Sequence, residues 1–233
     1  MTMKALILAA GRGERMGMLT ESMPKPLLTV ADYHLIEYPL LRLKQAGITE
    51  IVINVFYQGE QIKAALGDGS RYGVSILYSE EKERLEVGGG ILHALPLLGN
   101  QPFIVVSSDV LTDYSFTQLP RHLNGLAHLV MVDNPPFHPQ GDFGLSAGHV
   151  SLEARPKLNF GGIGVYTPEL FASCRPGFLR WSEVMVKAIQ QGLVTGEHYQ
   201  GGWYNIGTAQ DLQDAQLRAQ EHANLSLSSA IIK

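Results

Sequence analysis

Cysteine is almost absent from this chain. Cys174 stands alone among 233 residues, which rules out an intrachain disulfide and any multi-cysteine zinc site. Such scarcity suits a reducing, cytoplasmic compartment. Excess positive charge is missing too. Eighteen Lys and Arg stand against 22 Asp and Glu, for a net charge of −4. No general electrostatic drive toward nucleic acid or an anionic membrane follows from that balance. No stretch approaches the ~18 consecutive apolar residues of a membrane-spanning helix. The apolar run near the start is too short and too close to the terminus for a secretory leader. Internal repeats, low-complexity tracts and Gly/Ser linkers are lacking, and the eight histidines form no metal-ligand spacing. A partner in nucleic acid or membrane is therefore not expected, and no pattern of residues specifies an oligomeric state.

What the chain does have is apolar residues at 45%, enough for a sizeable core without covalent or metal staples. Strand and helix signals alternate through the first half. Residues 4–10 read as a fully buried strand. Residues 32–47 read as a helix with Asp32 as N-cap, and Pro39 within it calls for a kink or a late start. Strands are expected at 50–56, 74–79 and 102–109. Helices are expected at 58–67 and, with a glycine start, at 88–99. This alternation predicts an α/β fold with a doubly wound, mostly parallel sheet. In the second half a strand is expected at 127–132. Antiparallel strands at 143–154 and 160–167 form a small β addition, with helices at 178–192 and 208–223. The expected organisation is one domain over 1–223 with a Pro-rich seam at 133–144. Residues 1–132 form its nucleotide-binding half, residues 133–223 its sugar and metal half, and 224–233 a tail. Arg121, His122 and His128 read as solvated surface.

Open α/β sheets bind ligands beyond the carboxyl ends of their strands. Residues 11–26 and 107–113 should therefore share one rim. Gly11 and Gly13 follow the first strand, so backbone N–H groups can approach a ligand without interference from Cβ. Arg15 and Lys25 add fixed cations. Transfer of a phosphoryl-type group with loss of pyrophosphate needs both elements, a backbone cradle and positive charge where the leaving group develops. A dinucleotide turn fails here: Met16 replaces the third glycine, no ribose-binding acid ends the second strand, and the loop is too long. A Walker A sequence is absent. On G-x-G-x-R alone, a glycine-rich surface loop with incidental cations remains an equal reading.

The stretch "LAAGRGERM" with Pro24-Lys25-Pro26 starting nine residues after Arg15 resembles the signature of sugar-1-phosphate nucleotidyltransferases. The resemblance continues through "YHLIEYPLLRLKQAGITEIVINV", "GDGSRYGVSILYSEE", "LEVGGGI", "SSDVLTDYSF", "GGIGVY" and "WYNIGT", covering about residues 4–215. It implies a Rossmann-like nucleotidyltransferase sheet and an in-line attack of a sugar-1-phosphate on the α-phosphorus of a nucleoside triphosphate. UTP is the expected nucleotide, and Mg²⁺ the expected cofactor. By resemblance, Lys25 serves the α-phosphate and Arg15 the departing β,γ-phosphates. Leu8, Ala9, Ala10, Gly11 and Gly13 form the nucleotide cradle. Glu80, Gly88 and Gly89 lie against base and sugar. Asp109 and Asn205 hold the metal, and Gly144, Asn159 and Gly162 lie near the sugar.

Beside Met18, where the family favours a proline, three positions on one rim depart from the family pattern. Val87 stands for a threonine, Ser108 for a glycine and Asn205 for the second metal aspartate. The last leaves the metal site one negative charge short. These departures keep open a nucleotide-sugar-binding homologue of weakened catalysis. The shared phosphate machinery likewise keeps open other pairs, such as glucose-1-phosphate with UTP or mannose-1-phosphate with GTP.

Overall fold

The computed structural model describes residues 3–224. β1 (Ala5–Leu8) leads into the long loop 9–24. β2 (Thr29–Val30) and β3 (Tyr33–His34) form a small hairpin before α1 (Glu37–Gln45). There follow β4 (Glu50–Val55), α2 (Gly59–Leu66), β5 (Ser75–Glu80), α3 (Glu86–Leu98), β6 (Phe103–Ser107) and β7 (Val110–Thr112). Beyond these come β8 (Ala127–Val132), β9 (Phe143–Ser146), β10 (His149–Ser151) and β11 (Lys157–Tyr166). The chain continues through α4 (Trp181–Gln190), β12 (Val194–Tyr199), β13 (Trp203–Asn205) and α5 (Ala209–Asn224).

Nine strands pair into one sheet in the order β5-β4-β1-β6-β11-β8-β12-β10-β9. Strands β5, β4, β1, β6, β8, β12 and β9 run one way. Among the described residues, β10 and β11 run against them. The expected mostly parallel sheet is thus present, and β11 and β12 carry the second half of the chain into its middle. The antiparallel strands expected at 143–154 and 160–167 belong to this main sheet as β9, β10 and β11, and the separate small antiparallel pair is β7 with β13. From β1 the chain winds outward to β4 and β5, then returns to β6 on the other side of β1. That reversal opens a crevice at the carboxyl ends of β1 and β6, where Leu8 and Ser107 are register partners.

Strand alternation divides the core. Ala5 and Ile7 pack with Leu40 and Leu43 of α1 and Ile62 and Leu66 of α2. Leu6 packs on the opposite face with Ile91 and Ala94 of α3 and Met185 and Ala188 of α4. A third cluster joins Met16 of the loop to Leu35, Tyr38, Leu111, Ile206 and Leu212. Full burial of each such leucine contributes about 1.5–3 kcal/mol, so the loop's position is held by apolar packing as well as by hydrogen bonds.

Several boundaries differ from expectation for identifiable reasons. α1 begins at Glu37 instead of being capped by Asp32, because Tyr33 and His34 pair with β2. Pro39 then falls in the first turn, where its missing N–H lacks an intrahelical partner in any case. α3 begins at Glu86, so Gly88, Gly89 and Gly90 lie inside it. The segment 143–154 is a hairpin of two short strands. β12 was not expected, since Thr195, Glu197 and His198 carry no apolar alternation; its partner β8 defines it. The expected tail lies, apart from Asn224, outside the described residues.

His128 is not solvated surface. Its side chain is 15% exposed, with Nδ1 2.9 Å from Thr195 Oγ1 and Nε2 3.5 Å from the Glu197 carboxylate. The Tyr114 hydroxyl donates to the same carboxylate. Hydrogen bonding to His128, followed by that to Tyr114, holds the Glu197 carboxyl below its ordinary range against the opposing effect of burial. A depressed folded-state pKa gives stability that is present above the unfolded value and lost as pH falls through the folded one. Glu197→Gln should therefore lower Tm at pH 7, with the deficit shrinking on acidification below pH ~4.5. Thermal melts of both proteins between pH 7 and 3 check this; a deficit constant with pH would contradict it.

Candidate active site

Loop 9–24 is fixed before any ligand arrives. Gly13 takes a left-handed φ of 68°, open to glycine at no steric cost. A Cβ there would stand 2.9 Å from Lys25 Cβ and 3.1 Å from Thr20 Cγ2. The Gly13 carbonyl accepts the Met16 N–H at 2.8 Å and the Thr20 hydroxyl at 3.1 Å. Lys25 opens a short 3₁₀ turn that buries its stem. Its ammonium donates to the carboxylate of Asp109, just beyond β6. Their side chains are only 11% and 22% exposed. At that burial, removing either partner strands a charge in a poorly solvated place. The Asp109 carbonyl accepts the Ile206 N–H at 2.9 Å, which ties the end of β6 to the β13 segment.

These elements enclose a cavity of about 490 Å³. Leu8, Ala9, Ala10, Gly11 and Gly13 line one side, with Arg15, Lys25 and Asp109 among them. The loop residues and the β6 residues predicted for one rim are therefore brought together. Arg15 is exposed, and its guanidinium borders Gly207, where a Cβ would lie 3.4 Å from both terminal nitrogens. Arg12 also lines the cavity and lies over the Tyr57 ring at 5.1 Å.

The far wall was not foreseen. Asn54 on β4 is buried; its Oδ1 accepts the Ala9 N–H at 2.9 Å, and its Nδ2 donates to Glu81 Oε1 at 2.7 Å. Burial pushes the Glu81 carboxyl up, opposed by the Asn54 hydrogen bond. Glu80, the residue chosen from sequence, faces away and pairs with Lys63 of α2 at 2.7 Å. Alternation explains the difference: a one-residue shift along a strand exchanges faces. Ile76, Tyr78 and Glu80 face α2, whereas Ser79 and Glu81 face the cavity side. The available signal was Asn54, a polar residue inside an otherwise apolar strand.

Gly88 and Gly89 are also displaced from their expected role. Neither is among the residues lining the cavity. A Cβ on Gly88 would lie 2.8 Å from the Leu179 carbonyl oxygen, and one on Gly89 would lie 2.3 Å from that of Gly177. The Gly89 N–H donates to Leu179 at 3.0 Å. These glycines let α3 dock against the 177–180 segment, and Leu85, Glu86 and Val87 before them reach the cavity.

A smaller cavity of about 270 Å³ adjoins the first through Leu8, Val87 and Ser107. Asn159 and Gly162 line it with Phe137, Phe160, Trp181 and Trp203. Asn205 lines this second cavity and not the first. Gly144 lines neither; on β9 it lies against Ala154, whose carbonyl oxygen a Cβ would approach to 2.2 Å. Ser108 is buried in the first cavity wall, and Val87 is 40% exposed at the junction.

Asn54 holds together β1, β4 and the residue after β5. Asn54→Ala should leave the Ala9 N–H and the Glu81 carboxyl without partners, at a cost of about 1–3 kcal/mol. Denaturant unfolding should show a lower midpoint at an unchanged slope; an unchanged midpoint would show that water replaces the side chain.

Comparison with known proteins agrees with this geometry. Residues 4–151 match the family model described as nucleotidyl transferase. An N-acetylmuramate alpha-1-phosphate uridylyltransferase of Neisseria meningitidis serogroup B is 49% identical over 93% of this chain and 98% of its own. The protein of the same name from Caulobacter vibrioides is 32% identical over 93% and 97%. A solved structure of UDP-glucose pyrophosphorylase complexed with UDP-glucose superposes with a TM-score of 0.74 over 95% of this chain and 99% of that one. At 19% identity that likeness speaks for the fold alone. With the family model spanning more than half its length and the glycine loop, Lys25 and Asp109 gathered on one rim, the chain belongs to the nucleotidyl transferase family.

Proposed function

We propose that the chain transfers a uridylyl group from UTP to N-acetylmuramate 1-phosphate, forming UDP-N-acetylmuramate and pyrophosphate, a step of peptidoglycan recycling in the cytoplasm. The observation that carries the chemistry is the buried Lys25 beside the glycine loop, with Arg15 on that same loop. One chain segment thereby brings two cations to one cavity, which supports the reading of a triphosphate site. The choice of base and sugar rests on the two relatives that share most of their length with this chain.

In the proposed reaction a phosphate oxygen of the sugar-1-phosphate attacks the α-phosphorus of UTP. The bond from that phosphorus to the bridging oxygen breaks, and its electron pair leaves with pyrophosphate. The protein's contribution is positioning and charge neutralisation. In this reading the Lys25 ammonium meets the charge that grows on the α-phosphate in the transition state. Arg15, exposed and unburdened by burial, can follow the departing β,γ-phosphates. The neighbouring cavity, walled by Phe160, Trp181 and Trp203, suits a sugar that carries apolar substituents.

The donor set fits magnesium. Asp109 offers a carboxylate and Asn205 an amide oxygen, both hard ligands, and Mg²⁺ commonly binds through one or two carboxylates plus substrate phosphates. Among the described residues no group of three or more His, Cys, Asp or Glu could hold an ion without substrate. When bound, the ion would neutralise phosphate charge. Asn205 supplies that site with one negative charge fewer than an aspartate, and this favours the second reading, a nucleotide-sugar binder with little turnover.

Pyrophosphate release measured over a grid of four NTPs and several sugar-1-phosphates, with Mg²⁺, separates these readings. Turnover confined to UTP with N-acetylmuramate 1-phosphate is the expected result. Nucleotide binding without turnover in any well would favour the binder. Lys25→Ala should lower kcat by about 10²–10³-fold, as for loss of one transition-state contact, with Tm also lowered because Asp109 loses its partner, so kcat is measured well below the variant's Tm. A near-normal kcat would overturn the role given to Lys25.

A further inference from the structure

A third cavity, of about 720 Å³, is larger than either described above. Its volume falls in the range of roughly 300–1,000 Å³ typical of small-molecule sites. The Pro-rich seam at 133–137, β7, β13 and the first turns of α5 wall it. It shares no lining residue with the first cavity and meets the second at Phe137, Trp203 and Asn205. The proposed reaction leaves this space without a task.

The lining combines flat apolar faces with unused polar groups. Phe137 is 56% exposed and Tyr204 49% exposed, and Trp203 adds a third ring. The Tyr204 hydroxyl, the Asn205 amide and the Arg218 guanidinium have no hydrogen-bond partner among the described residues. Arg218 lies over the Tyr204 ring at 4.7 Å. The carboxylates of Asp113, Asp133, Asp211 and Asp214 also line the cavity. Each already has a partner. Asp113 accepts from the Tyr199 hydroxyl, Asp211 from the Gly207 and Thr208 N–H groups, and Asp214 from Gln210, while Asp133 lies 2.8 Å from His198 Nε2.

Four carboxylates against one guanidinium disfavour an anion here. A purely apolar ligand would cut Asn205, Arg218 and the carboxylates off from water without giving them partners. An organic cation would seek an aromatic face, and Arg218 already covers one face of Tyr204. The chemistry that remains is a neutral molecule with apolar faces and with hydroxyls that both donate and accept. We propose that this third cavity binds a neutral saccharide. The C–H faces of its rings lie on Phe137, Trp203 and Tyr204. Its hydroxyls donate to the free carboxylate oxygens and accept from Arg218 and Asn205. The site is additional to the proposed reaction and does not rest on it.

The test is calorimetric titration of the full chain, without nucleotide, by two neutral disaccharides, maltose and the β-1,4-linked dimer of N-acetylglucosamine. Inorganic phosphate and spermidine serve as anionic and cationic probes. At least one disaccharide should bind with a Kd of about 1 mM, at the weak end of the affinity scale. Tyr204→Ala and Arg218→Ala touch neither of the other cavities. Each should raise that Kd about 10-fold, as for loss of a ring contact or of a hydrogen bond to a charged group. Both side chains are exposed, so Tm should stay near the wild-type value. Recovery of binding in Tyr204→Phe supports the role of the ring, and no recovery overturns that role. Absence of saccharide binding at about 20 mM overturns the proposal. An unchanged Kd in both alanine variants also overturns it, by placing the saccharide in another cavity. Binding of spermidine or phosphate in place of a saccharide overturns it as well.

Discussion

The parallel pairing of β1 with β6 is the constraint on which the site depends. With Leu8 opposite Ser107, the two strands end at the same height, and both following segments must share the space beyond them. The glycine loop and Asp109 therefore meet although the sequence between them builds a small hairpin, two further strands of the main sheet and three α-helices. The winding reversal places no helix over this point, so the crevice stays open to ligands.

Charge in that crevice is arranged in depth. Lys25 and Asp109 are largely buried, and their mutual neutralisation makes burial of both tolerable. Nearer solvent are Arg15, Arg12, which lies over the Tyr57 ring, and Arg84, which is paired with Glu86. A second polar group, Asn54 with Ala9 and Glu81, is closed within itself by hydrogen bonds.

Glycine serves two purposes in this chain. Gly13 supplies a turn that other residues adopt only with strain. Gly88 and Gly89 sit in ordinary helix, where glycine weakens the element, and serve contact instead: the carbonyls of Gly177 and Leu179 come too close for a Cβ. A run of glycines reads identically in either case, and for that reason the segment resembled a ligand-binding helix start in sequence.

The sequence by itself determined the order of strands and helices in the first half, because apolar runs and their glycine punctuation are local properties. It likewise brought out the glycine loop, since Gly11, Gly13, Arg15 and Lys25 lie close along one segment and line one cavity. Only the tertiary structure decided which of Glu80 and Glu81 faces the cavity, since a strand's face depends on what packs against it. It alone placed Asn54 between two strand ends, removed Gly88, Gly89 and Gly144 from the cavities, and turned Asn205 toward the second cavity. Contacts between residues distant in the chain settle these matters, and no local period encodes them.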